Sequence, residues 1–406
     1  MRTQTGTQFM SKEELVLLHG ARTDDADLHE IRDALGSEPD WEYLTRNALY
    51  HGVAPLLYRS LSRISDAGLV PERVIAVLRE RYYITLARNM IHYDELGTAL
   101  HMFADAGIDV IILKGGALAE MVYHDIGLRP FSDVDILVRE DDLKRAKEVM
   151  VEIGYVLDER ISPEAHNEEF GCDLHYVINE GHVLEIHWHI ARMTGNDRYT
   201  RILIDELWKR ALPARIADVD TLVLSPEDLL LHLCIHLPRH RYNRLIWFCD
   251  IAEVVRQEDV DWDHLVETAK ACRAMAYMYY GLYFTDNLLG CDVPASVLDE
   301  LKPSRFEREV FESIPRDLLP DKKNVLQINP MLKMFLVDRT FDQLGYLWEY
   351  FFPPVGVLAR SYSVSESSAR VYLYYIVHPL HLGVKAVRRL LTIAGSKVRR
   401  VFGSDG

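Results

Sequence analysis

The sequence has no Cys-x-x-Cys pair, no internal repeat, no excess of basic charge and no apolar run long enough to span a bilayer. Each absence removes a class of protein. The five cysteines, Cys172, Cys234, Cys249, Cys272 and Cys291, are odd in number and scattered. That argues against a disulfide framework or a cysteine-based zinc module and for reduced, buried thiols. The nearest thing to a membrane span, residues 371–384, is broken by His378, Pro379 and His381 and falls short of the roughly 18–20 apolar residues a spanning helix needs. The N-terminus is polar and then acidic, without a signal-peptide core, so a cytoplasmic location is expected. A net charge of -16 over 406 residues argues against broad binding to nucleic acid, which needs a basic footprint. It leaves room for a nucleotide substrate, because a few local cations and a metal ion hold a triphosphate. Apolar material is plentiful: 49% hydrophobic and 10% aromatic residues fill substantial cores.

The periodicity divides the chain into four regions. Residues 1–103 read as helical, with one or two long helices from Glu72 to Met102. In residues 104–224 the period changes. Ile108–Leu113 is a β-branched apolar run suited to a buried strand. Lys114-Gly115-Gly116 interrupts it before a short helix, and Asp133–Val138 reads as a second strand. A helix carrying Leu143, Ala146, Met150 and Ile153 on one face ends at Gly154. Asp173–Ile178 and His182–Ile190 then read as a hairpin around Asn179-Glu180-Gly181. The order strand, helix, strand, helix, strand, strand makes a small mixed α/β sheet. Residues 225–328 return to helices, opened by Ser225-Pro226 as cap and first turn, and residues 329–406 read as a helical extension.

Asp133-Val134-Asp135 opens a strand. Side chains two apart on a strand share a face, so both carboxylates project together while Val134 and Ile136 face a core. Two such charges repel unless a cation lies between them, and Mg²⁺ prefers this kind of oxygen donor, often with substrate phosphates. Glu185 lies in the apolar stretch Val183–Trp188, where an unpaired acid is costly, and shares its face with His187 and His189. Between strand and helix, Gly115 and Gly116 allow an anion to approach the backbone, where the helix presents free N–H groups. Lys114 and Arg129 add cations for phosphate oxygens.

These residues carry a resemblance. Leu113–Leu118, Tyr123, Arg129-Pro130, Asp133–Val138, Glu185–Trp188, Leu231–His236 and Trp247–Ala252, in this order, resemble the uncharacterised nucleotidyltransferase family called NTP_transf_5. The likeness is firm over about residues 99–267 and looser beyond, through Tyr350–Pro353. It implies an α+β fold with a DNA polymerase β-like core, a small mixed sheet with helices, flanked by helical regions at both ends. It also implies roles: Gly115 and Gly116, with Lys114 and Arg129, for the triphosphate; Asp133, Asp135 and Glu185 for Mg²⁺ or Mn²⁺, two ions, and for catalysis. A nucleoside monophosphate would pass from an NTP to a small-molecule, peptide or protein acceptor, with loss of pyrophosphate. Members of the wider polymerase β-like superfamily usually have Gly-Ser in the turn, where this chain has Gly116, and many have Asp where it has Glu185. Other readings of the same residues are a non-catalytic nucleotide-binding or regulatory protein, and a glycosyl or other phosphoryl-linked transferase.

The helices after Ser225 are expected to shape the acceptor pocket, with His187, His232, His236, Arg239, Arg244 and Asp250 as candidates. His232 and His236 lie four apart on one helix face, but His-x-x-x-His alone lacks the further ligands of a zinc site. Arg239, His240, Arg241 and Arg244 form a local basic cluster. In the tail, Lys385, Arg388, Arg389, Lys397, Arg399 and Arg400 alternate with apolar residues, the pattern of an amphipathic surface helix.

Overall fold

A computed structural model of the chain describes residues 11–24, 28–36, 38–64, 68–160, 164, 171–178, 181–191, 197–240, 242–303 and 330–384. Arg241, the turn residues Asn179 and Glu180, and the basic residues of the tail from Lys385 onward lie outside them. The chain divides into two units, Met1–Asp338 and Arg339–Gly406.

The first unit begins with helices α1 (Lys12–Gly20), α2 (Leu28–Leu35), α3 (Trp41–His51), α4 (Ala54–Ile64) and α5 (Glu72–Asp105). Ser11 and Glu14 form a reciprocal capping box on α1, which satisfies two otherwise unpaired backbone donors. The stretch read as one or two helices is a single helix, α5, of 34 residues. Its first half packs Val74 and Leu78 into the helical core. Its second half packs Tyr93, Leu96, Leu100 and Phe103 against the sheet.

The strands are β1 (Ile111–Ile112), β2 (Asp133–Leu137), β3 (Val156–Leu157), β4 (Asp173–Ile178), β5 (His182–His187), β6 (Leu212–Ile216) and β7 (Val219–Val223). They form one mixed sheet in the order β3-β4-β5-β2-β1-β7-β6. Helix α6 (Lys114–Met121) links β1 to β2, and α7 (Leu143–Ile153) links β2 to β3. Gly154 ends α7 in the left-handed conformation at φ 105°, the cap its sequence announced. The expected hairpin is present, β4 antiparallel to β5. Three strands were not anticipated. Strand β3 is two residues long. The β6–β7 hairpin turns on Ala217 and Asp218, both at positive φ, 51° and 61°, without the Asn-Gly pair that normally marks such a turn.

After the sheet come α8 (Ile204–Arg210), α9 (Pro226–Arg239), α10 (Leu245–Gln257), α11 (Trp262–Ala271), α12 (Met275–Leu289) and α13 (Ala295–Leu301); α8 lies in sequence between β5 and β6. Ser225 caps α9 through Asp228 N–H. All five cysteines are buried and free. The second unit contains α14 (Thr340–Phe351) and α15 (Val355–Ser361). Among the described residues no helix is long and apolar enough to cross a membrane.

Candidate active site

The site is assembled by strand register. Strands β2 and β5 run parallel with Asp135 opposite Glu185, Asp133 opposite Val183 and Leu137 opposite His187. Alternation then divides the side chains. Val134, Ile136, Leu184 and Ile186 enter the core with α5, and the acids point to the other face. On the other edge of β2, Leu113 N–H donates to Asp135 carbonyl oxygen at 2.9 Å, which fastens the start of α6 beside the acids. Helix α6 has no side-chain cap, so its first N–H groups remain for an anion. Lys114 opens it at φ 42°, a left-handed conformation that a non-glycine residue keeps only where its surroundings impose it.

Asp135 is 3% exposed and His187 3%, so their charges must be answered locally. One oxygen of Asp135, Oδ1, receives both Lys114 Nζ at 2.5 Å and His187 Nε2 at 2.9 Å. The same His187 nitrogen lies 3.4 Å from Glu185 Oε2. Glu185 Oε1 takes His175 Nδ1 at 2.9 Å, and His175 Nε2 reaches Asp173 Oδ2 at 2.8 Å. Asp133 sits at the rim, accepting from Ser132 Oγ at 3.0 Å.

The pKa shifts follow from this crowding. Burial, then the charges of Asp135 and Glu185, push the Asp133 carboxyl up to about 6. Burial also opposes charge on Glu185, but the imidazoles of His175 and His187 prevail and hold its carboxyl well below the usual range. Burial disfavours a charged Lys114; the neighbouring acids, Asp135 first, outweigh it and raise its pKa. His175 is raised to about 9, its bonds to Asp173 and Glu185 overcoming burial. His187 is raised well above its ordinary value by Asp135 against the same penalty.

Asp135, Glu185 and His187 present ligand atoms within 4.8 Å of one another. The two carboxylates suit a hard divalent cation; Asp133 projects from the same strand face but is not among the ligand atoms grouped within that distance. Lys114 and His187 already place positive charge on the atom such an ion would engage.

The remaining expected residues fall into two groups. Arg129 and Asp250 meet each other: Nε and Nη2 donate to the two carboxylate oxygens at 3.1 and 2.6 Å, Tyr123 Oη adds a third bond at 3.0 Å, and Arg129 Nη1 donates to Pro130 carbonyl oxygen at 3.1 Å. Arg239 is likewise held, by Asp197 Oδ2 at 2.7 Å and the Ile190 carbonyl oxygen at 2.8 Å. Arg244 is exposed before α10. His232 is buried, and neither ring nitrogen has a hydrogen-bond partner among the described residues. Its pKa is driven far down by burial and then by the Lys114 charge, and the half-buried His236 follows the same pattern. Both histidines therefore lie within electrostatic reach of the acid site.

At both glycines of the turn an added Cβ would meet packed neighbours rather than open space. A Cβ on Gly116 would meet Ile112 Cγ2 at 3.2 Å and Val134 Cγ1 at 3.7 Å, on the core side. A Cβ on Gly115 would strike Arg129 Nη1 at 2.6 Å and Phe131 Cβ at 2.7 Å. Both positions are small because α6 begins hard against its neighbours. Asp173 and His175 escaped the sequence reading, although Asp173-Leu174-His175 shows the same polar, apolar, polar alternation as Asp133-Val134-Asp135. A cavity of about 680 Å³ between Arg59, Tyr123, Glu253 and Arg256 is lined by none of Asp133, Asp135, Asp173 and Glu185 and is set apart from this chemistry.

Comparison with known proteins finds one family model, described as uncharacterised nucleotidyltransferase, matching residues 37–290. Searches of curated proteins and of solved structures found no match.

Proposed function

Because the chain belongs to the uncharacterised nucleotidyltransferases, we propose that it transfers a nucleoside monophosphate from an NTP to a hydroxyl or phosphate of a small-molecule, peptide or protein acceptor, on a polymerase β-like core. The observation that carries the reading is the in-register pairing of Asp135 with Glu185, with Asp133 on the same face and the uncapped start of α6 alongside. In the transfer the acceptor oxygen bonds to the α-phosphorus as the bond to the bridging oxygen breaks, pyrophosphate departs, and the proton of an acceptor hydroxyl passes to a carboxylate of the site or to solvent. The N–H groups at the start of α6 bind phosphate oxygens. Lys114, kept charged by its acids, turns from Asp135 toward the incoming anion. Asp133, Asp135 and Glu185 would hold Mg²⁺ or Mn²⁺, two ions, which supply neutralisation of charge on the attacking and leaving oxygens. His175 orients Glu185 through Oε1. His232 and His236 line the acceptor side, where their lowered basicity keeps them neutral.

The test incubates the chain with each NTP labelled at the α-phosphorus, Mg²⁺ or Mn²⁺, and cell extract. A labelled product is expected from wild type and not from Asp133→Asn/Asp135→Asn. One observation favours a second reading, nucleotide binding without turnover: Lys114 and His187 both occupy Asp135 Oδ1. NTP binding with no labelled product under any condition would select it.

A further inference from the structure

On the opposite face of β5 lies a second group of ligand-bearing side chains. His92 and Glu95, three apart on α5, share a helix face. His182 opens β5 and, an odd number of positions from Glu185, points away from the acid site and toward α5. Ligand atoms of the three all lie within 4.8 Å of one another. His92 Nδ1 faces His182 Nδ1 at 3.5 Å, and His182 Nδ1 lies 3.3 Å from Glu95 Oε2.

These separations are long for hydrogen bonds between such atoms, which centre nearer 2.9 Å. They agree with the edge of a ligand tetrahedron: bonds of about 2.0–2.1 Å to zinc put neighbouring ligand atoms about 3.3–3.4 Å apart. The surroundings are prepared as well. His92 is 2% exposed, its ring packs on Phe131 with centroids 5.2 Å apart, and it meets His182 edge-on at 5.0 Å. His182 and Glu95 side chains each keep 19% exposure, which leaves the cluster open to solvent on that side.

We propose that His92, Glu95 and His182 form a divalent transition-metal site of the zinc class, which clamps α5 to the start of β5 on the side of the sheet opposite the catalytic acids. Two imidazole nitrogens and one carboxylate oxygen select zinc-like ions over Mg²⁺, which prefers an all-oxygen octahedron.

The test uses the full chain, free of any histidine tag and stripped with chelator, titrated with Co²⁺ and read by visible ligand-field absorption. The expected result is one equivalent of tetrahedral Co²⁺, displaced by Zn²⁺, with a raised melting temperature. The signal should persist in Asp133→Asn/Asp135→Asn and weaken at least tenfold in both His182→Gln and Glu95→Gln. These two positions are partly exposed, and circular dichroism in chelator checks that each variant folds. Absence of a tetrahedral spectrum in the wild type overturns the proposal whatever the variants do. So does a spectrum unchanged in the folded His182→Gln or Glu95→Gln protein, and so does one lost with the two aspartates.

Discussion

The Arg129–Asp250 clamp and the Asp135 cluster are both buried ion-pair assemblies, and they differ in stoichiometry. In the clamp one guanidinium meets one carboxylate through two bonds, with Tyr123 and the Pro130 carbonyl oxygen taking up what remains. The arrangement is closed and leaves nothing for a ligand. In the cluster one carboxylate oxygen is shared by an ammonium and an imidazole, a second acid is held by two imidazoles, and a third waits at the rim. Closed pairs hold structures together; overloaded ones are where an incoming charge can exchange places with a resident one.

Asp135→Asn should separate the two assemblies most clearly. Product formation in the labelled-NTP assay should fall by about a thousandfold or more, the several kcal/mol a metal site contributes to the transition state. Its urea midpoint should move less than that of a clamp variant. A variant within tenfold of wild-type activity would detach the cluster from catalysis.

The clamp should respond the other way. Asp250→Ala leaves a buried guanidinium unanswered and should cost about 3–5 kcal/mol in urea unfolding. A loss below about 1 kcal/mol would mean that water or another acid reaches Arg129 easily.

A third measurement concerns His51, a buried histidine outside both assemblies that accepts Leu245 N–H at Nδ1, 3.3 Å away. Burial, then Arg244, lowers its pKa from 6.5 to about 4. Above pH 6.5 the ring is neutral folded and unfolded. Below it the unfolded chain takes up a proton that the folded chain refuses, so stability falls as pH drops toward 4, by up to about 3 kcal/mol. His51→Gln keeps an acceptor and cannot titrate. Its unfolding free energy relative to wild type should improve progressively from pH 7 to pH 4, and a constant difference would refute the assignment.

The smallest effects separate the two glycines. Gly115→Ala drives a methyl into Arg129 and Phe131 and should cost about 1–3 kcal/mol, as overpacking does. Gly116→Ala asks only a few tenths of an ångström of Ile112 and should cost less than about 1 kcal/mol. Equal melting temperatures would show that α6 yields as a whole.

Much of this is legible from local pattern. The alternation at Asp133, Val134 and Asp135, the acid within Val183–Trp188, the cap at Gly154 and the Ser225 start each depend on a few adjacent residues. What pattern does not carry is which strands become neighbours. Parallel pairing of β2 with β5 decides that Glu185 stands beside Asp135; an equally alternating β4 stands one strand away. For the same reason Arg129 reads as a free phosphate cation until the fold brings Asp250, 121 positions on, against it. Lys114, too, reads as open to phosphate, whereas the register fastening Leu113 to Asp135 delivers its ammonium to the carboxylate.

Helix α5 adds a consequence of its own. At 34 residues and 1.5 Å per residue it runs about 51 Å, and its two halves belong to different hydrophobic cores. A helix shared in this way cannot melt at one end without withdrawing side chains from the other. The helical bundle and the sheet should therefore unfold in a single cooperative transition, and a chain cut near residue 104 to isolate the sheet would leave its buried face uncovered.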